Sequence, residues 1–539
     1  MGTSDGRLDM RGRDALFDAL EARSFDVAVI GGGITGAGVA RDAAMRGLSV
    51  ALIEARDFAS GTSSRSSKMI HGGLRYLAQG DIGLVREAAS ERKIVQAIAP
   101  HLARETPFVI PAKNAAAIAK LRAGLWAFEK LGGVPRSRKH EVWSQAQLRE
   151  REPALNADQL AGAVVYPEYL TNDARLTLAN VASAAANGAV IVNYASVETI
   201  VRDGDRAVGL DVREMAPGAI ERRARLAAKV IVNAAGPWVD AVRALESPDA
   251  APRLKLTRGI HIVVPRQALP VERTIVMTAA DRRGVFTVPH GAVTYIGTTD
   301  TFHPQPETWP EITGDDADYL IAAATARFSS PPLSRGDVVT AWAGVRPLVG
   351  EEGKSASDIS RRDELWTGPA GVLSIAGGKL TAYRQMAERV VDQIEKALGR
   401  KHSPCRTAAE PLPGGDVDPA NLRQALEGKG LATLAADRLV ALYGARAAEV
   451  IAGDAGPAAE ARYAVLAEGA LTLEDYWVRR SGRAWFDLDA GMEALRPAAE
   501  AMAPLLGWSD LQAQAQVAAC MAIQRADMAA FAPAKAAAP

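Results

Sequence analysis

The chain has only two cysteines in 539 residues, Cys405 and Cys520, far apart and outside any metal-type spacing. That scarcity excludes a disulfide scaffold and a cysteine-based zinc site, and it fits a reducing compartment. The seven histidines form no H-x-x-x-H pattern, so no metal is expected. An excess of charge of one sign is also missing: Lys plus Arg and Asp plus Glu stand at 63 each. Nothing global therefore favours nucleic acid as a partner. No run of about 18 apolar residues occurs, so no membrane-spanning helix is expected. The N-terminus is charged and lacks an apolar h-region, so no secretory signal is expected, and the setting reads as cytoplasmic. At this length one core does not suffice, and two or three domains are expected.

What is present begins at Phe25. Val27 to Ile30 reads as a buried strand that runs into Gly31-Gly32-Gly33-Ile34-Thr35-Gly36 and a helix. Gly31 permits the tight turn, Gly33 lets backbone approach a pyrophosphate, and Gly36 lets helix and strand pack closely. The helix N-terminus offers unpaired N–H groups to the phosphates. A second apolar strand, Val50 to Ile53, ends on Glu54, 18 residues past Gly36 and placed to accept a ribose hydroxyl. Strand, glycine turn, helix and closing acid together indicate dinucleotide binding, without choosing between NAD and FAD. The hydroxyl-rich segment Ser60 to Tyr76 follows, with Thr62, Ser63 and Ser64 and a dense set of anion-binding groups, Arg65, Lys68, His71 and Arg75, around His71-Gly72-Gly73.

Residues 1–24 read as a charged lead-in, and a helix is expected over Leu84 to Ala99. Segment 111–140 carries seven basic residues and one acid, Glu129. Within it, Ile118, Leu121, Leu125, Trp126, Phe128 and Leu131 are spaced to give a helical apolar face. A basic amphipathic helix of this kind suits an anionic membrane surface, with Trp126 and Phe128 for apolar contact; an ordinary packed surface helix fits equally well. Small residues follow the strand Lys229 to Val232, at Ala234, Ala235 and Gly236, where backbone can pass close to a cofactor. Residues 253–345 alternate as an antiparallel sheet. Leu373 to Ile375 enters Gly377-Gly378-Lys379-Leu380-Thr381 and a helix to about Leu398, a second strand–glycine–helix anion or flavin-edge site. Lys379 at a helix start opposes the dipole, which suggests an anion beside it. Pro411 to Gly415 is a linker, residues 416–527 are a helical pattern, and the last residues are an Ala/Pro tail.

At this point the chain resembles the FAD-dependent, membrane-associated glycerol-3-phosphate dehydrogenases of bacterial respiration, from Phe25 to about Ala530. The resemblance rests on Thr62 to Tyr76 (TSSRSSKMIHGGLRY), Thr340 to Leu348 (TAWAGVRPL), Gly377 to Arg384 (GGKLTAYR), Arg258 to His261, Tyr295 to Asp300 and Leu471 to Arg480. It implies an α/β fold, a Rossmann-type FAD-binding domain interleaved with a mostly antiparallel β-sheet substrate domain of the amino-acid-oxidase type, then a helical C-terminal cap. On that basis FAD-binding segments are expected over about 25–110, 160–250 and 340–400, substrate segments over about 111–160 and 251–340, the cap over 411–530 and a disordered tail over 531–539.

The implied activity is oxidation of sn-glycerol 3-phosphate to dihydroxyacetone phosphate by hydride transfer to FAD, with electrons passed to membrane quinone by a peripherally bound protein. Gly31, Gly33, Gly36, Glu54, Thr62, Ser63, Ser64, Lys68, His71, Gly72, Val197, Ala235, Gly236, Gly377 and Gly378 are expected to hold FAD. A phosphate dianion calls for forked Arg donors, and Arg75, Tyr76, Arg361 and Thr381 are expected to bind substrate. His261 is the natural base, with Arg346 and Lys379 stabilising developing negative charge. Two other readings stay open: a same-fold oxidase returning electrons to oxygen, and a non-catalytic flavin-binding docking module. The oligomeric state is open, a homodimer included.

Overall fold

The computed structural model describes residues 6–71, 82–131, 139–350, 362–452 and 455–532. Two sheets organise it. In the first, strands run in the order Asp363–Thr367, Leu373–Gly377, Arg223–Asn233, Ser24–Ile30, Val50–Ile53, Val190–Val192. The central pairs are parallel, with Ile30 opposite Ile53 on one side and Asn233 on the other. Parallel strands need cover on both faces. The helices Ile34–Met45, Asp173–Ala186 and Tyr383–Ala397 pack on one face, where Val27, Val29, Val39, Val181 and Val390 share a core. The antiparallel strands Ala195–Asp203 and Arg206–Glu214 close over the other.

The second sheet is mostly antiparallel. Its longest pairing joins Leu254–Pro265 to Thr340–Val349, which sets His261 opposite Trp342 and Thr257 opposite Arg346. Strands Ala103–Ala112 and Gly162–Thr171 pair within this sheet as well. The chain thus passes between the two sheets several times.

The basic segment yields the helix Ala115–Leu131. Its apolar face does not open outward: Leu125 and Phe128 are fully buried, and Ile118 and Leu121 pack on the same core. Phe128 is therefore corrected from a surface contact to a core residue, held beneath the guanidinium of Arg92. Apolar area gains more by packing on the second sheet than by facing water. Trp126 alone of the two aromatics stays outside, 57% exposed, with the Lys130 ammonium 5.9 Å from its ring centroid, and Lys113, Lys120 and Arg122 of the same segment are exposed as well. Arg136 and Arg138 lie outside the described residues.

The C-terminal region is helical, from Pro419–Glu427 to Asp510–Asp527. It is locked to the first sheet through buried charge. Asp57 accepts from both Arg479 and Arg480, and Arg479 also bonds Asp475 at 2.6 Å. Arg175 forks onto Glu468 at 2.6 and 2.7 Å. Removing one partner from such sites leaves an uncompensated buried charge, which costs about 3–5 kcal/mol.

Candidate active site

A cavity of about 1110 Å³ runs from the first glycine turn to the second sheet. At one end Gly31 holds φ +108°, and a Cβ there would stand 2.7 Å from the carbonyl oxygen of Ala234. Gly36 packs against the turn itself: a Cβ would lie 1.9 Å from Gly31 O. Gly36 does not line the cavity, and it acts by letting helix meet strand. Gly33 does line it, with only Ser63 Oγ near, 3.1 Å from an added Cβ. Ser63 Oγ accepts from the first helical N–H, Ile34, at 2.9 Å. Glu54 is fixed on the wall by accepting from the backbone N–H groups of Gly32 and Arg56, at 2.6 and 2.8 Å.

Thr62, His71, Val197, Ala235, Gly236, Gly377 and Gly378 stand on the same wall. Thr62 donates to the carbonyl of Val345 at 2.6 Å, which ties the hydroxyl-rich loop to the strand that carries Arg346. Thr381 also lines the cavity, and its hydroxyl is engaged by the backbone of His71, accepting from N–H and donating to C=O at 3.2 Å. The turn Gly377-Gly378 has φ near +78°, and a Cβ on Gly377 would meet Arg362 O at 2.5 Å. Only glycine satisfies both demands. This cradle, two glycine turns far apart in sequence with a helix N-terminus and a fixed carboxylate, fits a flavin dinucleotide.

At the other end Arg346 and Lys379 reach the wall together. Arg346 donates to Asp300 at 3.1 Å and to Thr298 Oγ1 at 2.9 Å. Gly259 makes room for it, since a Cβ there would fall 2.1 Å from the guanidinium. Two expectations are corrected here. Lys68 does not line the cavity: it is buried, bonding Asp173 at 2.7 Å and Ser64 O at 2.8 Å, because an ammonium that is buried needs a carboxylate. Ser64 is likewise buried and off the wall.

His261 is 1% exposed and is also absent from the wall. Its ring stacks on Trp342 with centroids 4.6 Å apart, and Nε2 lies 2.9 Å from Ser67 Oγ. Burial, then the nearby cations Arg346 and Lys68, hold its pKa well below the ordinary value, so the ring is neutral at neutral pH. Gly72, Arg75, Tyr76 and Arg361 lie outside the described residues.

Several wall residues lie in or beside the motifs without a role read from them. Ser67, Arg56, Trp238 and Asp300 line the cavity. Ser67 sits inside the hydroxyl-rich segment, where nothing local separates it from its neighbours. Arg65 turns to aromatic support, its guanidinium 3.7 Å from the Trp309 ring centroid, and burial brings its pKa down to about 10. Elsewhere, among the described residues, Asp392, Glu395 and His402 come together, but Arg46 already bonds both carboxylates.

Comparison with known proteins agrees with this geometry. The family model for FAD dependent oxidoreductases matches residues 26–384, and the model for the C-terminal domain of alpha-glycerophosphate oxidase matches residues 405–513. The chain is 38% identical over 527 residues to the aerobic glycerol-3-phosphate dehydrogenase of Staphylococcus haemolyticus, covering 93% of this chain and 94% of that one. It is 37% identical to the Bacillus subtilis enzyme of the same name, covering 88% and 90%. The solved glycerol-3-phosphate dehydrogenase of Bacillus halodurans, complexed with FAD, superposes with a TM-score of 0.81 at 31% identity, covering 98% of this chain and 100% of that one. The L-alpha-glycerophosphate oxidase of Mycoplasma pneumoniae, at 18% identity and a TM-score of 0.55, shares the fold. The chain belongs to the FAD-dependent oxidoreductases and, within them, to the aerobic glycerol-3-phosphate dehydrogenases, with FAD as its cofactor.

Proposed function

We propose that this enzyme oxidises sn-glycerol 3-phosphate to dihydroxyacetone phosphate and passes the electrons to quinone in a membrane that it touches from the surface. One observation carries the reading. Arg346, within the strand Thr340–Val349, and Lys379, just past the strand Leu373–Gly377, reach the wall that also holds both glycine turns. Cations at a cofactor cavity suit a substrate whose oxygen gains negative charge as its proton leaves.

When bound, FAD supplies the hydride acceptor. Gly31, Gly33 and the helix N-terminus take the pyrophosphate, Glu54 the ribose, and Gly377 and Gly378 the flavin edge. Arg346, steadied by Asp300 and Thr298, and Lys379 stabilise the developing alkoxide. His261, neutral in its buried setting behind the wall, is the base on which a proton comes to rest as the alcohol loses its own. Arg75, Tyr76 and Arg361 hold the phosphate, on the resemblance alone. Among the described residues no helix is long and apolar enough to cross a membrane. Trp126 and the exposed cations Lys120, Arg122 and Lys130 of its helix supply the surface contact in this reading.

The test is anaerobic mixing of the yellow holoenzyme with sn-glycerol 3-phosphate, followed by a soluble quinone or by oxygen. Flavin bleaching and rapid reoxidation by quinone support the proposal. An unbleached flavin overturns the substrate, and fast reoxidation by oxygen with peroxide release overturns the acceptor.

A further inference from the structure

The base expected from sequence and the cavity it should serve do not touch, and one residue stands between them. Ser67 lines the cavity, whereas His261 does not. Their Oγ and Nε2 atoms lie 2.9 Å apart. Among the described residues this is the only hydrogen bond of the imidazole, for Nδ1 is buried without a partner.

We propose that Ser67 is a catalytic residue, whose hydroxyl takes the alcohol proton of the substrate and hands its own proton to Nε2 of His261. This inference rests on the substrate reading above. A hydroxyl is both donor and acceptor, so it can accept one proton as it releases another. In the step, the substrate O–H bond breaks toward Oγ, and the Oγ–H bond breaks toward Nε2. The carbon-bound hydrogen leaves with its electron pair to FAD, and the alcohol carbon becomes a carbonyl. Neutral His261 ends as imidazolium, serine is regenerated, and both electrons rest on the flavin.

The surroundings hold this pair in register. Tyr295 Oη donates to the carbonyl of Ser67 at 3.2 Å, and Trp342 Nε1 donates to that of Ser66 at 3.3 Å. Asp173 accepts from Ser66 N and Oγ at 2.9 and 2.6 Å. Trp342 fixes the plane of the imidazole by stacking at an interplanar angle of 11°. Gly297 leaves the ring its space, since a Cβ there would stand 2.0 Å from His261 Cδ2. A proton relay needs short, preset distances, and these contacts supply them.

The experiment compares wild-type, Ser67→Ala and Ser67→Thr holoenzymes, all loaded with FAD. Stopped-flow flavin reduction by sn-glycerol 3-phosphate gives the rate and its half-saturation, and the ¹⁵N spectrum of His261 without substrate gives the state of Nε2. Ser67→Ala should reduce flavin on the order of 100-fold more slowly, the lower end for a lost proton-transfer group, with half-saturation little changed. Its Nε2 resonance should move to that of an unbonded nitrogen. Ser67→Thr, which keeps a hydroxyl, should restore both readouts. If wild type bleaches and Ser67→Ala bleaches as fast, the relay is wrong while the substrate stands. If Ser67→Ala and Ser67→Thr are equally slow with the Nε2 resonance unmoved, the serine is merely structural and the relay is wrong. If wild type fails to bleach, the substrate reading falls instead.

Discussion

Lys68 Nζ lies 2.7 Å from Asp173 Oδ1, and both side chains are sealed from solvent, at 4% and 0% exposure. The other oxygen of Asp173 accepts from Ser66 N and Oγ, so one carboxylate at the start of the helix Asp173–Ala186 fixes the whole turn that leads from Thr62 to Lys68. The pair is a scaffold for the cavity wall, and burial alone would push the ammonium toward its neutral form.

Asp173→Asn keeps the shape and removes the charge. Lys68 is then buried without a carboxylate, a change that costs about 3–5 kcal/mol. Urea unfolding should show that loss, and the flavin-to-protein absorbance ratio should fall as the Thr62–Lys68 turn loosens. A variant with the wild-type midpoint and full flavin would show that the pair is not what holds the turn.

Two glycines of one motif should fail in different ways. At Gly36 an added Cβ meets backbone, 1.9 Å from Gly31 O, so the helix Ile34–Met45 must move off the sheet. At Gly33 the nearest atom is a serine hydroxyl at 3.1 Å, and the rest of the space is cavity. Gly36→Ala should therefore lose both thermal stability and flavin, whereas Gly33→Val should keep its circular dichroism melting temperature as apoprotein and lose flavin alone. Full FAD occupancy in Gly33→Val would end the assignment of that glycine to the pyrophosphate.

These outcomes mirror what the chain discloses locally. Strand, glycine turn and helix at Val27 to Met45 follow from residue types a few positions apart, and so does the second turn at Gly377. The role of Lys68 was not legible in this way, because its partner stands 105 residues later. A cation in a serine-rich loop looks the same whether it faces a phosphate or a buried carboxylate. The burial of Phe128 is hidden for a related reason: helical spacing shows that an apolar face exists, not whether a sheet covers it. Ser67 became visible only when the fold set it between the cavity and His261.

His101 gives a pH signature. It is 3% exposed, its Nδ1 has no partner among the described residues, and burial, with Arg175 nearby, lowers its pKa to about 3. The folded state therefore binds fewer protons here than the unfolded chain, whose histidine titrates near 6.5. The stability contribution is fully present above about pH 6.5 and is lost as pH falls toward about 3, at about 1.4 kcal/mol per pH unit. Replacing the residue as His101→Leu removes this uptake. The unfolding free energy of wild type minus that of the variant should thus fall as pH drops from about 6.5 to 5, approaching that slope. Parallel curves across that interval would mean the imidazole is reached by solvent or protonated when folded.

The final expectation concerns the membrane surface. The helix Ala115–Leu131 gives its apolar face to the second sheet, which leaves Trp126 as the outward aromatic on a helix whose Lys120, Arg122 and Lys130 are also exposed. With one indole in place of an apolar stripe, attraction to a bilayer rests mainly on charge. Each cation near an anionic surface contributes about 1 kcal/mol, screened beyond about 10 Å at 0.1 M salt. Vesicle sedimentation should show binding to anionic but not zwitterionic lipid, with most of it released by salt. Changing Lys120, Arg122 and Lys130 together to Glu should abolish pelleting at low salt, and Trp126→Ala should weaken it less. Pelleting of the triple variant at the wild-type level would move the contact to another surface. The helix Asp510–Asp527, which leaves Leu511 and Met521 exposed, is then the next to mutate.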